Sequence, residues 1–148
     1  MELLGQLEQY RPFNEQEERD RDILLRCLRE EGDIFTRDNA MAHMTASAWV
    51  VNRERTKVLM AYHNIYHSWS WLGGHADGDE DVRRVIKKEI QEESGLTEVK
   101  FLSDELFFAG NPHRGWPRKK RRVCILTSAS ECDLPPGGGY RGAFGCKT

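Results

Sequence analysis

With 148 residues, the chain suits one domain, long enough to bury a core of ordinary size and too short for two. Its 22 basic and 24 acidic residues leave a net charge of −2, so bulk electrostatics favour neither nucleic acid nor an anionic membrane. The four cysteines, at 27, 124, 132 and 146, form no Cys-x-x-Cys pair and have no histidine spacing that points to zinc, so they read as free thiols.

The N-terminus, "MELLGQLEQYRPFNEQ", lacks the basic start and apolar core of a signal peptide, and no apolar run reaches the roughly 18 residues of a membrane span. A cytoplasmic location is expected. Next, "FNEQEERDRDILLRCLREEGD" has the pattern of a helix: Asn14 can cap it, Glu17 completes a capping-box spacing, and Ile23, Leu24, Cys27 and Leu28 form an apolar stripe. Gly32 is placed to end it. The runs "MTASAWVVN" and "KVLMAYHN", separated by the polar "RERT", predict a hairpin of two strands, and "SWSWLGG" predicts a third. This third strand leads into a loop containing Gly73, Gly74 and Gly78, then a helix from about Glu80 to Ser94. In that helix Val82, Val85, Ile86 and Ile90 recur at spacings of three and four, which gives a buried face, and Gly95 is placed to end it.

On this second helix Glu89, Glu92 and Glu93 stand at i, i+3 and i+4, a spacing that gathers carboxylates on one side, where like charges repel. A solvated acidic face accounts for the glutamates alone. A hard divalent cation accounts for them and for the glycines on either side, because Mg²⁺ favours carboxylate and carbonyl oxygens and leaves positions for water and phosphate.

Residues 74–96, "GHADGDEDVRRVIKKEIQEESGL", resemble the Nudix box, G-x5-E-x7-R-E-U-x-E-E-x-G-U with U aliphatic. The match runs through Gly74, Glu80, Glu89, Ile90, Glu92, Glu93, Gly95 and Leu96, with Lys88 where the pattern has arginine. The resemblance covers roughly residues 40–110. It implies an α/β fold, a Nudix-like α/β/α sandwich with a mixed sheet, preceded by an N-terminal helical segment over 1–36 and occupying 37–114. It also implies a hydrolase that uses Mg²⁺ or Mn²⁺ to cut the pyrophosphate bond of a nucleoside diphosphate linked to another moiety. By position, Glu89, Glu92 and Glu93 would be catalytic and hold metal with the Gly74 carbonyl, one of them or a carboxylate outside the box being the general base. The family's arginine is similar to a brace on the box glutamates. Lys88 keeps that charge without the bidentate fork, and Glu80 is its expected partner.

Other residues carry lesser expectations. His63, His67 and His75 with Trp69 and Trp71 could stack a base or hold a phosphate, or be ordinary core and surface residues. "RKKRR" at 118–122 has no interleaved aromatics, so a nucleic-acid partner is not expected; a homodimer stays open. From about residue 115 the tail holds three cysteines, three prolines and a Gly-Gly-Gly run, with no sustained period of two or 3.6. Where a sandwich should still be supplying strands, this tail reads as unable to do so, leaving the C-terminal part incomplete. If the nucleotides for Arg122 to Gly139 are read one base later, the permitted codons include a run beginning Gly-Tyr-Val-Ser-Ser-His-Leu-His-Leu, which alternates like a strand and resembles what family members carry after their box. A frameshift is the expectation for 115–148, and a genuine C-terminus the alternative. Two functions compete with hydrolysis: a non-catalytic nucleotide-binding module of the same fold, and a non-functional product of a damaged gene.

Overall fold

The computed structural model describes residues 3–30, 32–39, 42–64, 67–110, 121–132 and 144–147, with 107–110, 121–132 and 144–147 described by their backbone. Two helices come first, α1 (Leu3–Gln9) and α2 (Glu15–Glu30). Helix α2 starts where Asn14 Oδ1 accepts the Glu17 amide at 2.9 Å. The return bond of the capping box goes one residue further back, since Glu17 Oε2 accepts from the Phe13 amide at 2.9 Å and the Tyr10 hydroxyl at 2.8 Å. The buried stripe differs from expectation at one position: Leu24 is fully buried and Leu25, Cys27 and Leu28 pack beside it, whereas Ile23 faces solvent. Helix α1 lies within the helical segment expected over 1–36, although no separate helix was placed there; it is anchored by buried Leu3 and Leu7 at i and i+4.

Strand β1 (Ala42–Asn52) turns through residues 53–57 into β2 (Val58–His63), pairing antiparallel with Val51 opposite Val58, as the hairpin pattern predicts. The expected single third strand is two. β3 (Ser68–Ser70) pairs with β2, while β4 (Leu72–His75) pairs with β1, placing Ala46 opposite Gly74 and Ala48 opposite Leu72. Trp71 is therefore the step at which the chain leaves one strand edge for the next. The alternation of Ser68 to Trp71 stops there, with Leu72 directly after Trp71, a break that a single-strand reading passes over.

Helix α3 (Val82–Ser94) follows a loop. It begins two residues later than expected because the Asp81 side chain accepts the Arg83 and Arg84 amides at 3.1 and 3.2 Å and takes the N-cap position. It ends as expected at Gly95, which adopts φ 77° and donates its amide to Gln91 O. Val82, Val85, Ile86 and Ile90 are buried in one core with Met44, Ala46, Ala48 and Val50 of β1, Leu59 of β2 and Leu72 of β4. Leu3, Leu7 and Leu24 belong to the same core, so the N-terminal helices and the sheet share one interior.

The sheet is completed by β5 (Lys100–Phe101), β6 (Leu106–Gly110), β7 (Arg121–Cys132) and β8 (Phe144–Lys147). β7 runs parallel to β1, from Ala42 opposite Arg121 to Asn52 opposite Cys132, and carries β5 and β6 antiparallel on its other edge; β8 pairs with β2. Among the described residues, eight strands form one mixed sheet. Residues 121–132 and 144–147 supply two of those strands. β7 is paired on both edges, a place where a strand need not alternate. Residues 118–120 of the basic run lie outside the described residues, while Arg121 and Arg122 open β7.

Candidate active site on the β4–α3 loop

The loop between β4 and α3 is held by its own backbone and by two arginines. Ala76 N donates to Met44 O at 3.1 Å, Gly78 N to Phe35 O at 2.9 Å and Asp79 N to Ala76 O at 2.9 Å. Asp77 and Gly78 have φ of 48° and 91°, the left-handed region that glycine tolerates and aspartate enters with strain. Arg84 donates from both sides of its fork to Asp79, Nε to Oδ2 and Nη2 to Oδ1, each at 2.6 Å. Arg37, from the turn after α2, does the same to Asp77 at 2.5 and 2.7 Å. These partners hold the Asp77 and Asp79 carboxyls below the usual carboxylate range, chiefly through the arginine hydrogen bonds.

Against this loop lie the box carboxylates. A Cβ built on Gly74 would overlap the Glu89 carboxylate, so the absence of a side chain at 74 is what lets Glu89 rest on β4. Glu93 Oε2 accepts the Gly73 amide at 3.1 Å, which binds the second carboxylate to the same strand. Both glutamates are half-buried, and desolvation pushes both carboxyls above the ordinary range. Glu92 adds to the rise at Glu89 and Lys88 opposes it; at Glu93 the Gly73 amide opposes the rise and Glu89 adds to it. Glu92 is exposed and reaches Lys88 Nζ at 4.0 Å.

The structure thus brings Gly74, Glu89 and Glu93 together and leaves Glu92 at the rim. It does not bring Lys88 to Glu80, the expected pair. Glu80 is exposed in the loop before the Asp81 cap, while Glu92 is one turn along the same helix from Lys88 and is the partner it meets. Gly73, Arg37, Asp77 and Asp79 were not singled out as functional from the sequence. Gly73 had a signal in the doubled glycine; the Arg37–Asp77 pair spans 40 positions and had none. The aromatic expectation divides: Trp69 meets Tyr62 edge-on at 5.2 Å and Trp71 lies 6.4 Å from Trp49, while His75 stacks on His43 at 5.0 Å. A cleft of about 1510 Å³ between α1, the turn at 32–35 and the start of α3 includes Glu80 but none of Glu89, Glu92 and Glu93, so it is separate from the carboxylate site.

As a donor set for a hard cation, the site supplies carboxylate oxygens from Glu89 and Glu93 and backbone oxygen at Gly74, with Glu92 beside them. Among the described residues no three His, Cys, Asp or Glu side chains converge closely enough to form a cage by themselves. The fit rests instead on the cradle: two negative, desolvated groups laid on glycine backbone, with no arginine or lysine in an ion pair with either among the described residues. Buried negative charge of this kind is stabilised by a bound cation.

Comparison with known proteins agrees with this geometry. The family model of the NUDIX domain matches residues 41–140, two thirds of the chain and further into the tail than the box resemblance reached. No curated protein matches the sequence. In fold, the chain is similar to the Ap4A hydrolase of C. elegans, with a TM-score of 0.52 and 18% identity over 72% of this chain and 80% of that one. It is similar also to the MutT protein of Methanosarcina mazei Go1, with a TM-score of 0.54 and 14% identity over 72% and 77%. A family match of this extent, on a chain whose box helix and glycine strand are assembled as described, has one conclusion: the protein belongs to the Nudix hydrolase family.

Proposed function

We propose that the chain hydrolyses a nucleoside diphosphate linked to another moiety, with Mg²⁺ or Mn²⁺ held by Glu89, Glu92, Glu93 and the Gly74 carbonyl. The observation that carries this reading is the Glu89 carboxylate resting in the space that Gly74 leaves open, beside Glu93 on the Gly73 amide. When bound, a hard divalent cation neutralises diphosphate charge and lowers the pKa of the attacking water. The chain's own residues do the rest. Glu89 and Glu93 offer oxygens that have already lost part of their hydration, and the Gly73 N–H keeps Glu93 from turning away. Either glutamate, its proton affinity raised, suits the general base that takes the proton of water as its oxygen attacks phosphorus. The bridging P–O bond breaks, and its oxygen leaves with the other phosphoryl group. Lys88 and Glu80 are supporting residues in this reading, Lys88 by holding Glu92 near the rim.

A small-molecule partner and a cytoplasmic location accompany the proposal. Among the described residues no helix is long and apolar enough to cross a membrane. The test is cleavage across a panel of nucleoside diphosphate derivatives, including Ap4A, with Mg²⁺ and with Mn²⁺. Metal-dependent release of nucleotide supports the proposal. Binding without release from any member replaces it with a non-catalytic nucleotide-binding module of the same fold.

A further inference from the structure

We propose that Arg37, which lies outside the box, is a positioning residue for the metal-binding loop, acting through its paired hydrogen bonds to Asp77. The inference rests on the metal reading of Glu89, Glu92, Glu93 and Gly74 given above. Three consecutive loop residues are tied down: Ala76 N to Met44 O, Asp77 by the Arg37 fork and Gly78 N to Phe35 O. The last two ties come from the same turn, residues 32–39, so one short segment ahead of β1 grips the loop that leaves Gly74. Asp77 sits at φ 48°, in the left-handed region that aspartate enters more readily than most residues yet less freely than glycine. A planar fork meeting both carboxylate oxygens fixes orientation as well as distance.

The pair is poorly suited to a role in stability. Arg37 and Asp77 side chains are 59% and 39% exposed, and exposed ion pairs contribute little to folding. What the pair fixes is the path of the chain three residues beyond Gly74. Both partners also act on Glu89 through space, Arg37 lowering its proton affinity and Asp77 raising it. That gives the experiment a sign. If Arg37 were only a positive charge near a cation site, removing it would tighten Mn²⁺ binding; if it positions the loop, removing it loosens binding.

The test is Mn²⁺ titration of the metal-free full chain by electron paramagnetic resonance. It compares the unaltered chain with Arg37→Gln, Arg37→Lys, Asp77→Asn, the Arg37→Gln/Asp77→Asn double variant and, as a reference for the metal reading, Glu92→Gln. Groups that orient metal ligands without touching the metal typically change affinity 10–100-fold when removed. Arg37→Gln and Asp77→Asn should each weaken Mn²⁺ about tenfold, and the double variant about tenfold also, because either change alone breaks the same brace. Arg37→Lys, which keeps the charge and loses the fork, should fall on the weakened side. In the metal-free chain, hydrogen exchange at the Gly78 amide should quicken in each variant while the melting midpoint stays within a few degrees.

Unchanged or tighter binding by Arg37→Gln, with Glu92→Gln weakened, overturns the positioning role and leaves the metal reading standing. A hundredfold loss in the double variant, the product of two independent effects, overturns it as well. If Glu92→Gln and Arg37→Gln both bind as the unaltered chain does, the metal reading itself falls. Should Arg37→Gln not melt cooperatively, Arg37→Lys carries the comparison.

Discussion

The carboxylate of Glu89 occupies the space in which a side chain on Gly74 would stand. Strand β4 and helix α3 meet here as well as at the Gly73–Glu93 hydrogen bond, and at Gly74 the contact is made by the flexible end of a side chain. Alanine at 74 should therefore push Glu89 aside and leave the backbone in place. Gly74→Ala is expected to weaken Mn²⁺ binding by about tenfold or more while changing stability by less than about 1 kcal/mol. Gly73 makes the opposite case: its φ is 155°, and an added Cβ would meet the Ala46 carbonyl and the Ser47 Cα, both backbone. Gly73→Ala should cost about 1–3 kcal/mol or more by overpacking, read in urea denaturation. Equal effects of the two substitutions on stability would remove the distinction.

The half-buried glutamates also fix how stability depends on pH. Glu89 and Glu93 have folded-state pKa values raised above those of the unfolded chain, first by desolvation. In that direction the folded state holds protons that the unfolded state has released, so their contribution is full below the ordinary carboxylate range. It is lost as pH rises through the raised values. The metal-free chain should accordingly lose stability over that window, and Glu89→Gln or Glu93→Gln should flatten the loss and raise the melting midpoint at neutral pH. Added Mn²⁺ should reverse the order, stabilising the unaltered chain more than either variant, since a ligand raises the midpoint in proportion to how tightly it binds the folded state. Thermal melts from pH 4 to 8, with and without Mn²⁺, check both halves.

Much of this site was legible in the sequence, and the rest was not, for identifiable reasons. Helix α3 announced itself through Val82, Val85, Ile86 and Ile90 at helical spacing and through Gly95 after them, because those signals are local. Its start moved from Glu80 to Val82 because three acids stand in a row at 79–81, and only geometry shows that Asp81 is the one bonded to the Arg83 and Arg84 amides. The break at Trp71 depends on β4 pairing with β1 instead of β2, a choice made between strands. Arg37 lies 40 positions from Asp77, beyond the reach of any periodicity. Glu89 and Glu93 lie on the side of α3 that meets Gly74 and Gly73, while exposed Glu92 meets Lys88, a separation that spacing alone does not show.

Lys88 is the one departure from the box pattern, and its contact with the box, 4.0 Å to Glu92 with both side chains 58% exposed, is loose. Such a pair contributes less than about 1 kcal/mol. Arginine there keeps the charge and gains a planar fork able to meet a carboxylate with two hydrogen bonds. Lys88→Arg should leave the melting midpoint level or slightly raised and should raise or maintain hydrolysis of any substrate the panel identifies. A clear loss of both would show that position 88 does not brace the glutamates.

The last prediction concerns β7, which lies between β1 and the pair β5 and β6. Residue 125 is paired on both sides, with Ala46 in β1 and Ala109 in β6, and β1 in turn carries β4 and the Gly74 contact. Proline at 125 removes an amide from the middle of the sheet, where strands tolerate it least. Ile125→Pro should therefore abolish cooperative melting and Mn²⁺ binding together, because the strand that positions Gly74 hangs on β1. A variant in which the tail from about codon 115 is read one base later, to that frame's own stop, places an alternating strand sequence over the same stretch. It should melt cooperatively and, compared at equal Mg²⁺, hydrolyse nucleotide better than the 148-residue chain. If the 148-residue chain is as stable and as active as that variant, and Ile125→Pro destroys both properties, then residues 121–132 are the sheet's own strand and the frameshift reading of the tail is withdrawn.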